Sequence, residues 1–309
     1  MPYHRTLINT LPSWGVIGIL FVFFAAVAFL SYFIVRRFYP KLITDSMSPA
    51  FSVIATAVAF LLGFTIALLW QNYTNAIKLT LDEAVNFYVM LDYVKTLNPI
   101  EQSKLISVIQ NYTSVLNAKE WPAMRLGLSS SEGWNAFNQI FSTLQDMKSN
   151  ASDAGTLEKI MRFFDTIAAT RLGRMQTVDP VLNIGLLTVI LLGVGFIIFS
   201  VAVNEPKNVH HHFISMFVVC LLISINIGLA LLLTYPFSGP YSVEGKALLQ
   251  GIPDKLKQME RANKKQLYAL KLAQIKAIQP KGAKAVKLEV AKPVEQPQSK
   301  KKKNSKDKQ

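Results

Sequence analysis

Apolar and polar positions follow two different rhythms along this chain. Four stretches are apolar and free of charge throughout: Trp14–Val35, Pro49–Trp70, Val181–Val203 and Phe213–Tyr235. Each is about 22 residues, which at ~1.5 Å rise per residue crosses a ~30 Å hydrocarbon layer. They predict membrane spans at 14–36, 49–71, 181–203 and 213–235. Residues 72–180 form a polar insert in which apolar residues return every three or four positions. Leu81, Val85, Tyr88, Leu91 and Val94 make one such row; Leu105, Ile109, Tyr112 and Leu116 make a second. Phe137, Ile140, Phe141 and Leu144 follow, then Leu157, Ile160, Phe164 and Ile167. These are helical periods. The expected fold class is an all-α integral membrane protein: four transmembrane helices in two hairpins plus a helical cytosolic domain.

Punctuation refines the element list. Residues 1–13 read as a short lead-in, and Tyr39 to Pro49 as a tight turn joining an antiparallel first hairpin. No proline falls between Pro49 and Pro99. The second span is therefore expected to continue as one rod of about 48 residues, ~70 Å long. Ser129 with Glu132 resembles a capping box, Ser149–Gly155 a turn, and Pro180 the return to the membrane. After a 236–253 segment, Leu256, Met259, Leu267, Leu270 and Ile275 predict an amphipathic helix over 254–279. The Lys/Pro-rich tail, 280–309, has too little apolar surface to fold.

Charge adds an orientation. Residues 254–309 carry +12 of the net +14. A basic tail beside a bilayer suits anionic headgroups, each basic residue near that surface contributing ~1 kcal/mol; the alternative is a solvated tail with no specific partner. No nucleic acid is expected. An even number of spans puts both termini and the insert on one side. Lys78, Lys159, Arg162, Arg171, Arg174 and the tail favour the cytoplasm for that side, against Arg36, Arg37, Lys41 and Lys207 opposite. The first span exceeds a signal-peptide core and is expected to be retained.

Candidate chemistry is sparse. There is no glycine-rich phosphate loop, paired-cysteine pattern or His-Glu-x-x-His, and no Asp, Glu, Lys or Arg inside any of the four apolar stretches. No cofactor, metal or catalysis is expected. His210-His211-His212 reads as interfacial polarity, with a loop-borne metal site or pH sensing as alternatives. The lone Cys220 reads as packing, and Ser224 and Asn226 as interhelical hydrogen-bond partners. In the second span, Ala55, Ala59, Gly63 and Ala67 form a small-residue stripe suited to close helix packing. Thr56, Phe60 and Phe64 form a second stripe about 100° round the helix. It reads either as ordinary lipid or core packing, or as a hydrophobic constriction on an oligomer axis. Glu83, Arg171 and Arg174 read as an ion pair between the first and last insert helices, or as ion-attracting vestibule groups. If the pair is structural, exchanging the charges of Glu83 and Arg174 should restore assembly.

Val58-Ala59-Phe60-Leu61-Leu62-Gly63-Phe64, followed by Leu69-Trp70-Gln71-Asn72-Tyr73, resembles the pore-lining second span of bestrophin anion channels. Tyr235-Pro236-Phe237-Ser238-Gly239-Pro240 resembles their proline-phenylalanine-glycine exit. A closer likeness is to the bacterial bestrophin-like family of unknown function DUF4239. It rests on Leu61-Leu62-Gly63-Phe64, Glu83-Ala84, Arg171, Arg174 and the run from Pro236 to Val243. The resemblance covers residue 14 to about 250 and leaves out the tail. It implies a pentamer in a bacterial inner membrane passing monovalent ions, with a neck at Phe60 and Phe64. Thr56 takes the first neck position, where a bulkier aliphatic residue is usual, so that end should be wider and wetter. Only Glu244 and Asp254 follow Pro236 before the tail helix, so the resemblance does not imply the calcium activation of animal bestrophins. The other class of function is a non-conducting scaffold whose insert and tail recruit a partner or anionic lipid.

Overall fold

A computed structural model describes residues 3–40, 49–148, 153–204 and 209–278. The chain divides into two units, Met1–Leu267 and Tyr268–Gln309. The helices run α1 (Tyr3–Thr10), α2 (Ser13–Phe38), α3 (Pro49–Val94), α4 (Pro99–Val115), α5 (Trp121–Arg125), α6 (Ser131–Lys148), α7 (Ala154–Gln176), α8 (Ile184–Val203), α9 (Val209–Thr234) and α10 (Ile252–Ile278). Four of them, α2, α3, α8 and α9, are long and apolar enough to cross a membrane.

Local chemistry sets the ends. Asn98 accepts from the Ile100 and Glu101 amides, with Pro99 in the first turn, and Asn183 accepts from Gly185. Asp153 caps α7, so the helix begins inside the stretch expected to be a turn. The cap of α6 is Ser130, whose hydroxyl accepts from the Gly133 amide at 3.1 Å; a box built on Ser129 does not form. The connections at 41–48 and 205–208, and the tail from 279, lie outside the described residues.

Two π-helical turns, Leu116–Glu120 and Ala247–Gly251, share a cause. Pro122 and Pro253 lack the N–H that would reach the carbonyl four residues back. In each case the residue before the proline reaches five back: Trp121 to the Leu116 carbonyl, Ile252 to that of Ala247.

Phe24 and Ala28 of α2, Val58 and Leu62 of α3, Ile190 and Val194 of α8, and Cys220 and Ile223 of α9 form the core of the apolar bundle. Both α2 and α3 pack on α8 and α9, which join the first pair of spans more than any face those two share. Ser224 and Asn226 donate to the carbonyls of Cys220 and Leu222 in their own helix, not across helices as expected. One continuous helix, α3, carries the chain from the bundle into the insert, where α7 packs along it. Phe87 stacks on Tyr112 at 5.7 Å and Phe137 on Phe164 at 4.7 Å between ring centroids. The first half of α10 is part of this core through Ile252, Leu256 and Met259.

Candidate functional site

One side of α3 is covered and the other bare. Val58, Leu62, Thr65 and Leu69 are buried. Gly193 of α8 allows the approach, since a Cβ there would lie 2.5 Å from a Val58 methyl. The opposite side carries Thr56, Phe60 and Phe64, all exposed, Phe60 at 77%. The small stripe joins this bare side: Ala59, Gly63 and Ala67 are exposed, Ala55 is half-covered, and a Cβ on Gly63 would meet nothing within 4 Å. Among the described residues, none covers Thr56, Ala59, Phe60, Gly63, Phe64 or Ala67.

Where α3 meets the insert, four charged side chains are fully buried: Glu83, Glu120, Arg171 and Arg174. Arg174 grips Glu83 with two bonds, Nε to Oε2 at 2.6 Å and Nη2 to Oε1 at 3.2 Å, and also reaches Glu120 Oε1 at 2.9 Å. Arg171 donates to the other oxygen of Glu120 and lies over the Trp134 ring at 4.1 Å. Tyr112 donates its hydroxyl to Glu83 at 3.2 Å. The cluster balances two carboxylates against two guanidiniums, which makes so deep a burial tolerable. Burial alone would lower the affinity of Arg174 for its proton, but the Glu83 carboxylate outweighs it and pushes the pKa up. Burial, then Glu83 and Glu120, hold the Tyr112 phenol well above its ordinary range.

The structure therefore joins Glu83 to Arg174 directly and Arg171 to Glu120. Glu120 alters the charge-exchange expectation: a carboxylate at position 174 would face it, so the exchange would not rebuild the site. Extending the α4 row Leu105, Ile109, Tyr112, Leu116 by one step of four lands on Glu120, a signal that an apolar count passes over.

A third convergence ties the post-span-four segment to both ends of the fold. Phe237 is buried with its ring edge-on to Trp121, 5.7 Å between centroids. Pro236 accepts from the Val243 amide at 2.8 Å, closing the turn, and Pro240 lies exposed within it. Gly239 needs its positive φ of 78°, and a Cβ there would come within 2.7 Å of Ile8. The Arg125 carbonyl accepts from both Ser238 and Asn9, while Asn9 accepts in turn from the Gly239 amide at 2.7 Å. Arg5, also buried, donates to the Val178 carbonyl at 3.0 Å and lies over the Tyr235 ring. Residues 1–13 were expected to be a lead-in; the helix within them is a docked element. The histidine tract falls inside α9, where His212 is buried against Tyr32 and Phe213, and His210 and His211 are exposed. Among the described residues no group of three metal-ligating side chains comes together.

A family model, the Bestrophin-like domain, matches residues 19–248, well over half of the chain. The chain belongs to the bestrophin-like family. The fold agrees: a mutant of a bacterial bestrophin homologue from Klebsiella pneumoniae aligns with TM-score 0.63 at 14% identity, covering 79% of this chain and 96% of that one. A second mutant of a bestrophin homologue from that organism gives 0.62 at 13%, covering 79% and 98%. No curated protein is significantly similar in sequence. In this bestrophin-like protein, all three assemblies just described fall within or beside the matched region. The protein is an integral membrane protein by its four apolar helices and its family.

Proposed function

We propose that this protein is an oligomeric ion channel, pentameric by analogy with bestrophins, in the inner membrane of a bacterium with both termini and the insert cytoplasmic. Copies of α3 line a common axis. Phe60 and Phe64 form a dry neck there, and the Ala55–Ala59–Gly63–Ala67 stripe lets neighbouring copies approach closely. A ring of phenyl groups narrow enough to shed water favours weakly hydrated monovalent ions. Thr56 leaves the first neck position wider. Glu83, Glu120, Arg171 and Arg174 hold the insert to the lower half of the same helix and serve structure, not conduction.

The observation that carries this reading is the bare face of α3. Its other face is sealed by α8 and α9, yet two phenylalanines and a small-residue row are left uncovered on the most continuous helix of the fold. Ion flux through the purified oligomer in liposomes tests it. Phe60→Ala with Phe64→Ala should raise flux at least several-fold; unchanged flux in a correctly assembled double variant removes the neck.

The basic tail favours the second reading, a scaffold holding anionic lipid or a cytosolic partner. A cut at 253 does not discriminate, because it removes Leu256 and Met259 from the core. A cut after Ile278 does: a channel keeps its flux, and a scaffold loses its partner.

A further inference from the structure

Each α-helical residue turns ~100° about the axis, so positions 56, 60, 64, 67, 71, 75 and 78 share a sector ~100° wide on α3. All seven are exposed: Thr56, Phe60, Phe64, Ala67, Gln71, Asn75 and Lys78. The buried residues Val58, Leu62, Thr65, Leu69, Ala76, Thr80 and Glu83 fall on the opposite side. The bare face thus continues past the phenylalanines and changes character, from aromatic to carboxamide to cationic. A shallow groove of about 510 Å³ follows it, lined by Leu68, Gln71, Asn72, Thr74, Asn75 and Lys78. The buried Asn72 amide nitrogen in its wall has no hydrogen-bond partner among the described residues. Nor has Lys78 a carboxylate within ion-pair distance among them. Its ammonium lies on the open face of the helix.

We propose that Lys78, with the carboxamides of Gln71 and Asn75 between it and the neck, is the charge-selecting site of the path and makes it prefer anions. The inference rests on the channel reading and deepens it. Around a shared axis, one Lys78 per copy makes a ring of like charge at the insert end of the path. Such a ring concentrates counter-ions locally. Lys78 lies ~21 Å along the helix from Phe64, beyond a Debye length of ~8 Å at physiological salt. It therefore acts on the supply of ions to the neck, not on the dehydration step, and the preference should fade as salt rises. The carboxamides offer N–H donors to an anion that has begun to lose water. Asp82, one turn further on and half-covered, opposes Lys78 in part.

The test is the reversal potential of the full-length channel in planar bilayers under a potassium chloride gradient. The wild type should favour chloride. Lys78→Glu should lower the chloride-to-potassium ratio at least tenfold, and Asp82→Asn should raise it. Raising the salt tenfold should shrink the wild-type preference. An unchanged ratio in a conducting Lys78→Glu channel, or a potassium-selective wild type, overturns the proposal. Should Lys78→Glu fail to assemble, Lys78→Gln decides, with at least a threefold loss expected and no loss overturning it. Silence in both the wild type and the assembled Phe60/Phe64 double alanine sinks the channel reading, and this inference with it.

Discussion

Glu120 is the side chain on which the buried cluster turns, and Glu120→Gln is the sharpest perturbation of it. The substitution keeps the volume and one acceptor, so it opens no cavity. It removes the charge that answers both Arg171 and Arg174, each of which donates to a separate oxygen of this carboxylate. Two guanidiniums then share Glu83 alone, and a net positive charge stays buried where all four side chains are at most 1% exposed. Breaking one partner out of a buried ion pair costs about 3–5 kcal/mol. A domain's whole stability is ~5–15 kcal/mol. At ~2–4 °C per kcal/mol for a unit of 150–250 residues, the midpoint should fall by roughly 6–20 °C. The assay is the heat-induced loss of the oligomer elution peak in detergent, with Glu158→Gln alongside. That control breaks a pair to Arg162 whose side chains are 74% and 76% exposed, and such pairs contribute ~0–1 kcal/mol. A loss below ~3 °C for Glu120→Gln, no larger than the control, would refute the view that this cluster fastens α7 to α3.

Two further outcomes follow from the same cluster. Exchanging the charges of Glu83 and Arg174 should fail to restore assembly while Glu120 remains, read as oligomer yield by size exclusion; recovery to wild-type yield would show that Glu83 and Arg174 act as an isolated pair. The raised proton affinity of Tyr112 should make the fold sensitive to alkali. The phenol ionises in the unfolded chain near pH ~10 but not in the folded one, so this contribution is present below pH ~10 and is lost as pH rises, by up to ~1.4 kcal/mol per unit. Tyr112→Phe should flatten the loss of melting temperature between pH ~10 and 11, and an unchanged slope would count against the phenol as its source.

Much of this was legible in the pattern of residues. The spans, the unbroken α3 and the insert helices follow from period and from the placing of prolines. The α7 row Leu157, Ile160, Phe164, Ile167 runs on through Arg171 and Arg174, so the arginines occupy core positions that only carboxylates elsewhere in the core could satisfy. Glu83 is one source. Glu120 is the other, and it continues the α4 row by a single step of four, but a count of apolar positions passes over it because it is a carboxylate. The docking of α1 was not legible: eight residues with little apolar surface carry no signal alone. Its anchors are contacts far along the chain, from Asn9 to Arg125 and from Arg5 to Val178. Likewise, the period of α3 sorts its residues into faces, but which face stays bare depends on where α8 and α9 settle.

Between Phe64 and Val94, α3 contains no glycine and no proline, and so lacks the usual sites of bending. Phe64 and Glu83 therefore ride on one stiff shaft, ~28 Å apart along its axis. Any event that shifts the insert, at its far end or at the Glu83–Arg174 grip, reaches the membrane as torque. In the channel we propose, a few degrees of roll would swing the Phe64 ring of each copy toward or away from the shared axis, with no joint between to absorb it.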